Sequence, residues 1–511
     1  MATTQPTTQP AAAAHAERPA ALRSTVLAAL LAALVILTLL GHNRLTDWDE
    51  GIYAQISREM LSSGLLIPHW NLQPWLEKPP LMLWITAVFF KLFGVSEFTA
   101  RLGSALSGVA LVGLLHGWLA RRHSLRAAWF SSLILLSTFG FLHVARVGEM
   151  DTLLSLGLCI SLIGLAELHL DHRHGAWLFW LGFALALMTK GAASITLGFT
   201  FVLFLALEPT ILRRHLGTLS LGFALFLAVV LPWHIALYHR FGEAFVQQYI
   251  GLHILHRATS QIEGHITPWW YYLRVLLLSA IPFCLLYPIA ALDALRRPAL
   301  RLYRVFALFA LIEVLFFSLV KTRLPHYIAP AYPAFSVLTA VWICTRLETI
   351  TLTKPLRLRL SAAVCAIWII AALITAAPRS RLHSPRLPNG DVTPNNREQV
   401  ALLKQVFKHP APAVAAVPGP LLDWRPGHYN PIPTVIFYAN RPVQQVLPQP
   451  LPPGTPTDIY AFNPVPFAAA IGSQPSLILV ARSLLPQLPA GYTFHLIASS
   501  PTLAVGTIAR N

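Results

Sequence analysis

Charged side chains are scarce in this sequence. Asp, Glu, Lys and Arg make up 12% of the 511 residues, whereas a soluble domain carries about 25%. The shortage extends over the first three quarters of the chain, where apolar runs of roughly 17–22 residues recur, long enough to cross a hydrocarbon core about 30 Å thick. A soluble globular protein is therefore excluded, and the composition predicts a polytopic α-helical membrane protein.

Cysteine is rare as well. The four cysteines lie within or at the ends of predicted spans, and none has the spacing of a metal-binding pair: Cys159, Cys284, Cys344 and Cys365. A disulfide framework is therefore not expected.

Acidic residues are outnumbered by basic ones, 21 against 38, which gives a formal net charge of +17. The basic residues cluster at span ends instead of forming one soluble patch, and positive-inside sorting explains many of them. We expect membrane lipids and phosphorylated lipids as partners, and no nucleic acid.

The basic connections between spans set the expected orientation. Connections at 121–126, 213–214 and 296–304 all face the cytoplasm if the apolar stretch 81–94 lies at the interface instead of crossing. The N-terminus is then cytoplasmic and the C-terminus extracytoplasmic. About 11 to 13 transmembrane helices are expected, two of them near residue 191 short enough to be re-entrant. The predicted spans are 21–41, 101–120, 126–145, 151–169, 175–189, 192–209, 217–238, 271–292, 302–320, 326–345 and 358–377.

Three segments with different composition are expected. Residues 1–20 are predicted to be a disordered cytoplasmic N-terminus, and residues 21–377 a transmembrane domain whose first extracytoplasmic loop is 42–100. The remaining residues, 378–511, hold 23 of the 40 prolines and no cysteine. Alternating apolar residues predict strands there at 434–438 and 476–480, and a helix is predicted at 398–407. This segment is predicted to be an extracytoplasmic α/β domain.

Acidic and basic side chains converge on the predicted outer face. Ten acids lie in outward loops before residue 378: Asp47, Asp49, Glu50, Glu59, Glu77, Glu97, Glu149, Asp151, Glu243 and Glu263. The outward span ends also carry Lys78, Arg146, Lys190, Arg257, Lys321 and Arg323. A transporter more often places its ionisable groups near the midplane, where only Glu313 is a clear candidate. The pattern therefore favours an enzyme site at the outer surface over a lipid-linked-sugar flippase or a cation transporter.

The first outward loop is the most informative stretch. Ile52, Ile56 and Met60 recur at four-residue steps and predict an amphipathic helix that lies on the membrane. Gly64 is a natural stop, and Asp49 and Glu50 fall in the first turn, where the helix dipole favours ionised carboxylates. From spacing alone, helix capping and catalysis both explain these two acids.

A set of ordered motifs extends over roughly residues 20–345. They read Asp49-Glu50…Tyr53-Ala54…Ile56-Ser57-Arg58-Glu59-Met60, Trp75…Glu77-Lys78-Pro79, Arg146…Met150-Asp151, Thr189-Lys190-Gly191, His265…Pro268-Trp269-Trp270-Tyr271-Tyr272 and Lys321…Arg323-Leu324-Pro325…Tyr327…Pro330. In this order and spacing they resemble the bacterial aminoarabinose–lipid A transferases, which belong with the protein O-mannosyltransferases to the GT-C class of glycosyltransferases. The resemblance implies a GT-C membrane fold with periplasmic amphipathic helices.

The resemblance also implies the roles of the acidic residues. Asp49 matches the family's catalytic carboxylate, which activates or orients the acceptor group for attack on the anomeric carbon. Asp151 matches a second acid facing the same cavity, although an N-cap at the start of span 151–169 explains it equally well. Glu50, Tyr53, Arg58 and Tyr327 are expected to line the substrate cavity.

The donor implied for this class is a sugar on a polyprenyl phosphate, so the leaving group is an anion that needs cations or aligned donors. Four cations match motif positions and are the expected donor-phosphate ligands: Lys78, Lys190, Lys321 and Arg323. Each of them is also explained as a span-end cation whose aliphatic stem lies along apolar surface while its charge reaches water.

No cofactor is required by the implied chemistry, but the resemblance suggests one metal site. Glu77 and His265 would hold a structural divalent ion such as zinc between two periplasmic loops. His253 and His256, at i and i+3, are further candidate ligands.

The expected function is inverting transfer of a sugar from undecaprenyl phosphate to an extracytoplasmic acceptor. The acceptor is a lipid A-like lipid, an envelope glycan or a protein hydroxyl, and the expected location is the bacterial inner membrane with the active site in the periplasm. Two positions depart from the family pattern, Ile52 in place of Arg and Thr152 in place of Pro. They leave the identity of the sugar open.

Overall fold

The computed structural model describes residues 11–256, 259–260, 267–347, 396–425, 432–449 and 464–511. The chain divides into two compact units. The helical unit comprises Met1–Leu40, Leu76–Ile85 and Arg101–Ala377, and the sheet unit comprises Gly41–Trp75, Thr86–Ala100 and Pro378–Asn511.

The helices account for most of the described residues. They are α1 Ala11–Leu37, α2 Asp49–Ser63, α3 Leu81–Phe93, α4 Glu97–Arg122, α5 Leu125–Ser137, α6 Phe139–Ala145, α7 Asp151–His169, α8 His174–Lys190, α9 Ile195–Leu207, α10 Pro209–Phe241, α11 Glu243–Val246, α12 Tyr271–Ala280, α13 Tyr287–Arg296, α14 Arg304–Leu319, α15 Ala331–Leu347, α16 Asn396–Phe407, α17 Pro412–Ala415, α18 Pro433–Ala439 and α19 Phe467–Ala470. A π-helical stretch, Gln247–His256, follows α11.

Six helical segments of the described chain are long and apolar enough to cross a membrane. They are Pro19–Leu37, Glu97–Arg122, Asp151–His169, His174–Leu207, Pro209–Phe241 and Pro298–Leu319. The bent pair α5 and α6 makes a seventh if it counts as one span. The multi-pass membrane architecture predicted from composition is therefore confirmed.

Several predicted spans differ in detail. The span 126–145 is bent by 74° at Thr138, between α5 and α6. The span 271–292 is divided between α12 and α13 around Pro282, because a proline lacks the N–H that an uninterrupted helix needs. The spans 175–189 and 192–209 join into one run through a 3₁₀ turn at Gly191–Ser194. Predicted span 358–377 lies outside the described residues.

The first helix also begins nearer the N-terminus than predicted. Helix α1 starts at Ala11, so the prediction of disorder for residues 1–20 is wrong over residues 11–20. Its first residues are four successive alanines, and alanine has the highest helix propensity. Residues 1–10 lie outside the described part.

The interfacial stretch predicted at 81–94 is the 13-residue α3, too short to cross a bilayer.

Helices α7 and α8 pack backbone against backbone. A Cβ atom added to Gly164 would lie 2.5 Å from Phe179 N, and one added to Gly182 would lie 2.4 Å from Gly157 O. Small residues of this kind let membrane helices approach closely. The van der Waals contacts that result drive helix association, because lipid provides no hydrophobic effect between helices. The α7–α8 hairpin is therefore a rigid element, and it carries functional candidates at both of its ends.

Gly182→Ala is expected to destabilise the protein by about 1–3 kcal/mol, because the added methyl group has to push two helix backbones apart. The measurement is the thermal unfolding midpoint of the purified protein in detergent. Gly198→Ala in α9 is the matched control, since no described atom lies within 4 Å of its added Cβ. The control should be neutral or stabilising by up to about 1 kcal/mol. Equal midpoints for both variants would contradict the close packing.

The sheet unit contains a two-stranded ribbon and a six-stranded sheet. Strands β1 His69–Trp70 and β2 Gln73–Pro74 form the ribbon. The larger sheet contains β3 Leu421–Trp424, β4 Val443–Leu447, β5 Val465–Pro466, β6 Ser476–Ala481, β7 Tyr492–Ser499 and β8 Leu503–Arg510, in the spatial order β5-β4-β3-β6-β8-β7. The four strands β5, β4, β3 and β6 are parallel, and β8 and β7 continue the sheet antiparallel. The predicted C-terminal α/β domain is confirmed.

One predicted strand is a helix. Residues 434–438 lie in α18, Pro433–Ala439, whereas the strand predicted at 476–480 is β6 and the helix predicted at 398–407 is α16. Pro433 stands in the first turn, where its missing N–H costs nothing, and Asn440 ends the helix with φ 52°. The β-branched run misled the prediction because α18 is buried almost completely, so its sequence shows no polar face.

Candidate active site

Helix α2 begins at Asp49 and ends at Ser63, with Gly64 following at φ 92°, as the sequence predicts. Its N-cap is Trp48, whose side chain offers no oxygen to cap the helix. Glu50, inside the first turn, binds the chain before the helix: its Oε2 accepts from Thr46 N at 2.7 Å and from Thr46 Oγ1 at 3.0 Å. Glu50 is buried and thus has a structural role in holding this loop against α2.

Asp49 is half-buried and has an aromatic hydroxyl beside it. Tyr53 Oη, one turn later, donates to Asp49 Oδ1 at 3.0 Å. The Tyr53 ring is buried and meets the Trp75 ring edge-on, with centroids 6.2 Å apart. The Tyr53 hydroxyl and the positive end of the helix dipole therefore both lie beside this carboxylate.

The rest of α2 is held inside the sheet unit. Arg58 Nη1 donates to Phe437 O at 2.8 Å, and the guanidinium lies over the Phe437 ring at 5.6 Å. Glu59 accepts from Asn71 N at 3.0 Å and Leu72 N at 2.9 Å. Burial lowers the pKa of Arg58 and raises the pKa of Glu59.

These contacts correct the prediction of a helix lying on the membrane. Polar residues of α2 such as Gln55, Ser57 and Glu59 are buried together with its apolar stripe. A helix at the membrane surface keeps its polar face in water. Arg58, which is predicted to line the substrate cavity, packs against α18.

At one end of the α7–α8 hairpin, the first turn of α7 and the last turn of α8 are joined by an ion pair. Lys190 Nζ, at the C-terminus of α8, lies 2.8 Å from Asp151 Oδ1, in the first turn of α7. Both side chains are largely buried, with exposed fractions of 13% for Lys190 and 4% for Asp151. The ammonium group also lies 5.3 Å from the centroid of the Tyr327 ring.

The N-cap explanation for Asp151 does not hold in the structure. Helix α7 begins at Asp151 itself, and Met150 occupies the cap position. The carboxylate instead pairs with Lys190 from the neighbouring helix. The carboxylate of Asp151, the ammonium group of Lys190 and the ring of Tyr327 come from segments distant in sequence. The two charged groups are shielded from bulk water.

Further ionisable groups surround this pair. Ligand atoms of Glu149, Asp151 and His326 all lie within 4.8 Å of one another. Glu313, in α14, is fully buried and close enough for the charges of Asp151 and Lys190 to act on it. The sequence marked Glu149 only as one outward acid and Glu313 only as a mid-span acid, and it gave no signal for His326.

The other predicted phosphate cations are placed differently from Lys190. Arg323 donates to two backbone carbonyls, from Nη1 to Thr267 O at 2.5 Å and from Nη2 to Ser318 O at 2.8 Å. Lys321 is exposed and Lys78 is half-buried. Of these, Arg323 has a structural function in holding its loop.

A motif arginine also has a structural role. Arg146 is buried and donates to the carbonyl oxygens of Val35 at 2.7 Å, Ile36 at 2.9 Å and Thr38 at 2.7 Å. These are among the last carbonyls of α1 and the turn after it, which have no intrahelical partner. Arg146 therefore caps α1.

The predicted metal pair is only partly described. Glu77 is buried, with 6% of its surface exposed, whereas His265 lies outside the described residues. The candidate ligand His256 is exposed, and the side chain of His253 is outside the described part.

The predicted site residues thus fall in both units. The sheet unit contains Asp49, Glu50, Tyr53 and Arg58, and the helical unit contains Glu77, Lys78, Asp151, Lys190, Lys321, Arg323 and Tyr327. Within the helical unit, the structure brings together Asp151, Lys190 and Tyr327. Within the sheet unit, it brings together Asp49 and Tyr53.

Comparison with known protein families gives one match within the chain. Residues 77–235 match the family described as dolichyl-phosphate-mannose-protein mannosyltransferase. Two uncharacterized proteins of Aquifex aeolicus are 30% and 32% identical, over 59% and 66% of this chain and 69% and 66% of their own lengths.

Relatives that carry a functional name have a similar sequence identity to this chain. The undecaprenyl phosphate-α-4-amino-4-deoxy-L-arabinose arabinosyl transferase of Pectobacterium atrosepticum is 30% identical over 63% of this chain and 59% of its own length. The corresponding transferase 1 of Sodalis glossinidius is 30% identical over 70% of this chain and 66% of its own length. The chain thus spans about three fifths to two thirds of these named relatives.

A solved structure covers nearly the whole chain. The crystal structure of ArnT from Cupriavidus metallidurans bound to undecaprenyl phosphate aligns with a TM-score of 0.74 and 21% identity, over 94% of this chain and 97% of that one. The fold of the chain, a membrane helical part with a C-terminal sheet domain, is therefore that of the GT-C glycosyltransferases.

Proposed function

Because the chain belongs to the GT-C membrane glycosyltransferases that include the bacterial aminoarabinose transferases, we propose that it moves a sugar from undecaprenyl phosphate to an extracytoplasmic acceptor. The observation that carries the proposal is the buried Asp151–Lys190 pair beneath the Tyr327 ring. A membrane enzyme for a lipid-linked phosphate needs a shielded cation, because a buried ammonium attracts an anion far more strongly than one in water.

Lys190 is the residue proposed to meet the donor phosphate. Its ammonium group is fixed by Asp151 and by the ring of Tyr327, so little order is lost when an anion binds. As the bond between the anomeric carbon and the phosphate oxygen breaks, negative charge grows on that oxygen. A preorganised cation stabilises this charge more than the charge of the starting ester.

Asp49 is proposed as the general base. The acceptor hydroxyl or phosphate attacks the anomeric carbon from the face opposite the leaving group, which inverts that centre. The acceptor's proton moves to the Asp49 carboxylate, and polyprenyl phosphate leaves with the electron pair of the broken bond. The Tyr53 hydroxyl at 3.0 Å orients the carboxylate for this transfer.

We propose that no resident cofactor takes part in this step. A structural divalent ion held by Glu77 and His265 stays a prediction. We further propose that the active site and residues 378–511 face the periplasm of a bacterial inner membrane, in keeping with the basic connections.

The test uses purified protein in detergent with polyprenyl-phosphate-linked sugars extracted from bacterial membranes. Lipid A, envelope glycan and Ser/Thr-containing peptide are added separately as acceptors. Mass spectrometry should show loss of one donor, release of polyprenyl phosphate and one glycosylated product, which together name the sugar and the acceptor. If the lipid binds but is never consumed, even with crude envelope present, the proposal fails in favour of a lipid-linked-sugar flippase.

The donor-binding role of Lys190 gives a separate prediction. The double variant Asp151→Asn/Lys190→Met removes both charges together, so no single buried charge is left behind. Its affinity for undecaprenyl phosphate is expected to fall about 10- to 150-fold, the equivalent of one charge-assisted hydrogen bond of about 1.5–3 kcal/mol.

The matched control for this measurement is Lys408→Met, which removes an exposed lysine that has no predicted role in the site. Lipid affinity should change less than about twofold in the control, because exposed charges are screened. Equal losses in both proteins would show that the lipid responds to surface charge and not to the buried ammonium group.

A further inference from the structure

The second end of the α7–α8 hairpin carries a separate cluster of ionisable side chains. Glu167 lies 16 residues after Asp151 on α7, or about 24 Å along a helix that rises 1.5 Å per residue. His172 lies in the connection to α8, and His174 begins α8. One ligand atom from each of these three residues lies within 4.8 Å of the others.

The Glu167 carboxylate is oriented by two donors. It is buried, with 3% of its surface exposed. Its Oε1 accepts from Trp118 Nε1 and from Arg122 Nε, both at 2.8 Å. Its Oε2 forms an ion pair with Arg122 Nη2, and it also lies 2.7 Å from His172 Nδ1 and 3.4 Å from His174 Nε2.

The two imidazoles are arranged side by side and are reachable from solvent. Their rings stack with centroids 5.3 Å apart and an interplanar angle of 18°. The exposed fractions of the side chains are 39% for His172 and 59% for His174. The turn itself is fixed by backbone bonds from His172 N to Glu167 O at 3.0 Å and from Gly175 N to His172 O at 2.9 Å.

The hydrogen bonds within the cluster conflict with one another. His172 Nδ1 lies 3.1 Å from the donor Arg122 Nη2 and 2.7 Å from the acceptor Glu167 Oε2. One ring nitrogen either donates or accepts, so it cannot satisfy both neighbours. A cation that takes lone pairs from His172 Nδ1 and Glu167 Oε2 removes the conflict, provided that Arg122 Nη2 turns away.

We propose that Glu167, His172 and His174 form a binding site for a divalent transition-metal ion, with Zn²⁺ as the best match to two imidazoles and one carboxylate. Two ligands of tetrahedral zinc at about 2.0–2.1 Å are about 3.3 Å apart, and the observed separations of 2.7 and 3.4 Å bracket this value. Trp118 and Arg122 Nε then act as the outer partners that orient a metal-bound carboxylate. The ion joins α7 to α8 at their connection, and water completes its coordination.

The test titrates Co²⁺, whose tetrahedral complexes absorb in the visible, into the full-length protein purified without a polyhistidine tag; competition with Zn²⁺ follows. Wild type is expected to bind one equivalent at this cluster, in addition to any ion that Glu77 and His265 hold. His172→Ala and His174→Ala are each expected to weaken binding at least tenfold, in line with the loss of one ligand. His239→Ala, which removes an exposed histidine of α10 outside the cluster, should bind as wild type does.

One further result decides the proposal. Zn²⁺ should raise the thermal unfolding midpoint of the two ligand variants less than that of wild type and of His239→Ala. Binding that persists unchanged in both ligand variants, or a wild type that binds less than one equivalent at saturation, would overturn the assignment. Both ligand side chains are exposed, so these variants are expected to fold.

Discussion

Asp49→Asn is expected to lower the turnover of donor by about 10²–10⁴-fold, the usual loss when positioned proton transfer is removed. The amide has nearly the shape of the carboxylate and still accepts from Tyr53 Oη, so the helix should form as before. What it lacks is the negative charge that takes the acceptor's proton. The measurement is the initial rate of polyprenyl phosphate release by mass spectrometry, with affinity for donor measured in parallel.

The neighbouring residue provides the control. Glu50→Ala removes the acceptor for Thr46 N and Thr46 Oγ1 and should cost about 1.5–3 kcal/mol of stability, the usual contribution of a hydrogen bond to a charged group. The fraction that remains folded should keep far more activity than Asp49→Asn, because Glu50 does not take the acceptor's proton. The opposite pattern, a stable but inactive Glu50→Ala beside an active Asp49→Asn, would move the catalytic role from Asp49 to Glu50.

The bounds of α2 were predictable because local signals agree there. Two acids in the first turn, an apolar repeat of four residues and a terminal glycine all point to the same segment. Residues 434–438 were not predictable in the same way. Val435, Ile436 and Phe437 have high strand propensity, but they are buried in a helix because the tertiary contacts of α18 outweigh that preference.

The site shows the same division between local and long-range information. The family resemblance was enough to single out Asp151 and Lys190 separately. Their pairing, and the positions of Glu313 and His326 near them, depends on helices that are distant in sequence. Arg146 and Arg323 show the reverse difficulty, since a motif position does not reveal that its side chain binds backbone carbonyls.

The sheet unit connects its buried polar side chains to the loop before Asp49. Asp423 and Arg425 form a buried ion pair. Gln445 Nε2 donates to Asp423 Oδ2 at 3.1 Å, and Arg425 Nη1 donates to Gln399 Oε1. The network continues to α18 and the loop through donation from Gln399 to Thr434 and from Thr434 to Asp47, two residues before Asp49. This chain of bonds makes the C-terminal domain a support for the start of α2.

Arg425→Met is therefore expected to destabilise the sheet unit by about 3–5 kcal/mol, because it leaves the buried Asp423 carboxylate without its cation. Hydrogen exchange of the full-length protein should show lost protection in β3 and β4, while α7 and α8 stay protected. The double variant Asp423→Leu/Arg425→Met removes both charges and should recover part of the loss, although Gln399 and Gln445 lose a partner. A double variant less stable than Arg425→Met would mean that the pair contributes little and that the glutamines hold the network. Turnover should fall in Arg425→Met and recover in part in the double variant, because the loop at Asp47 regains part of its ordered support.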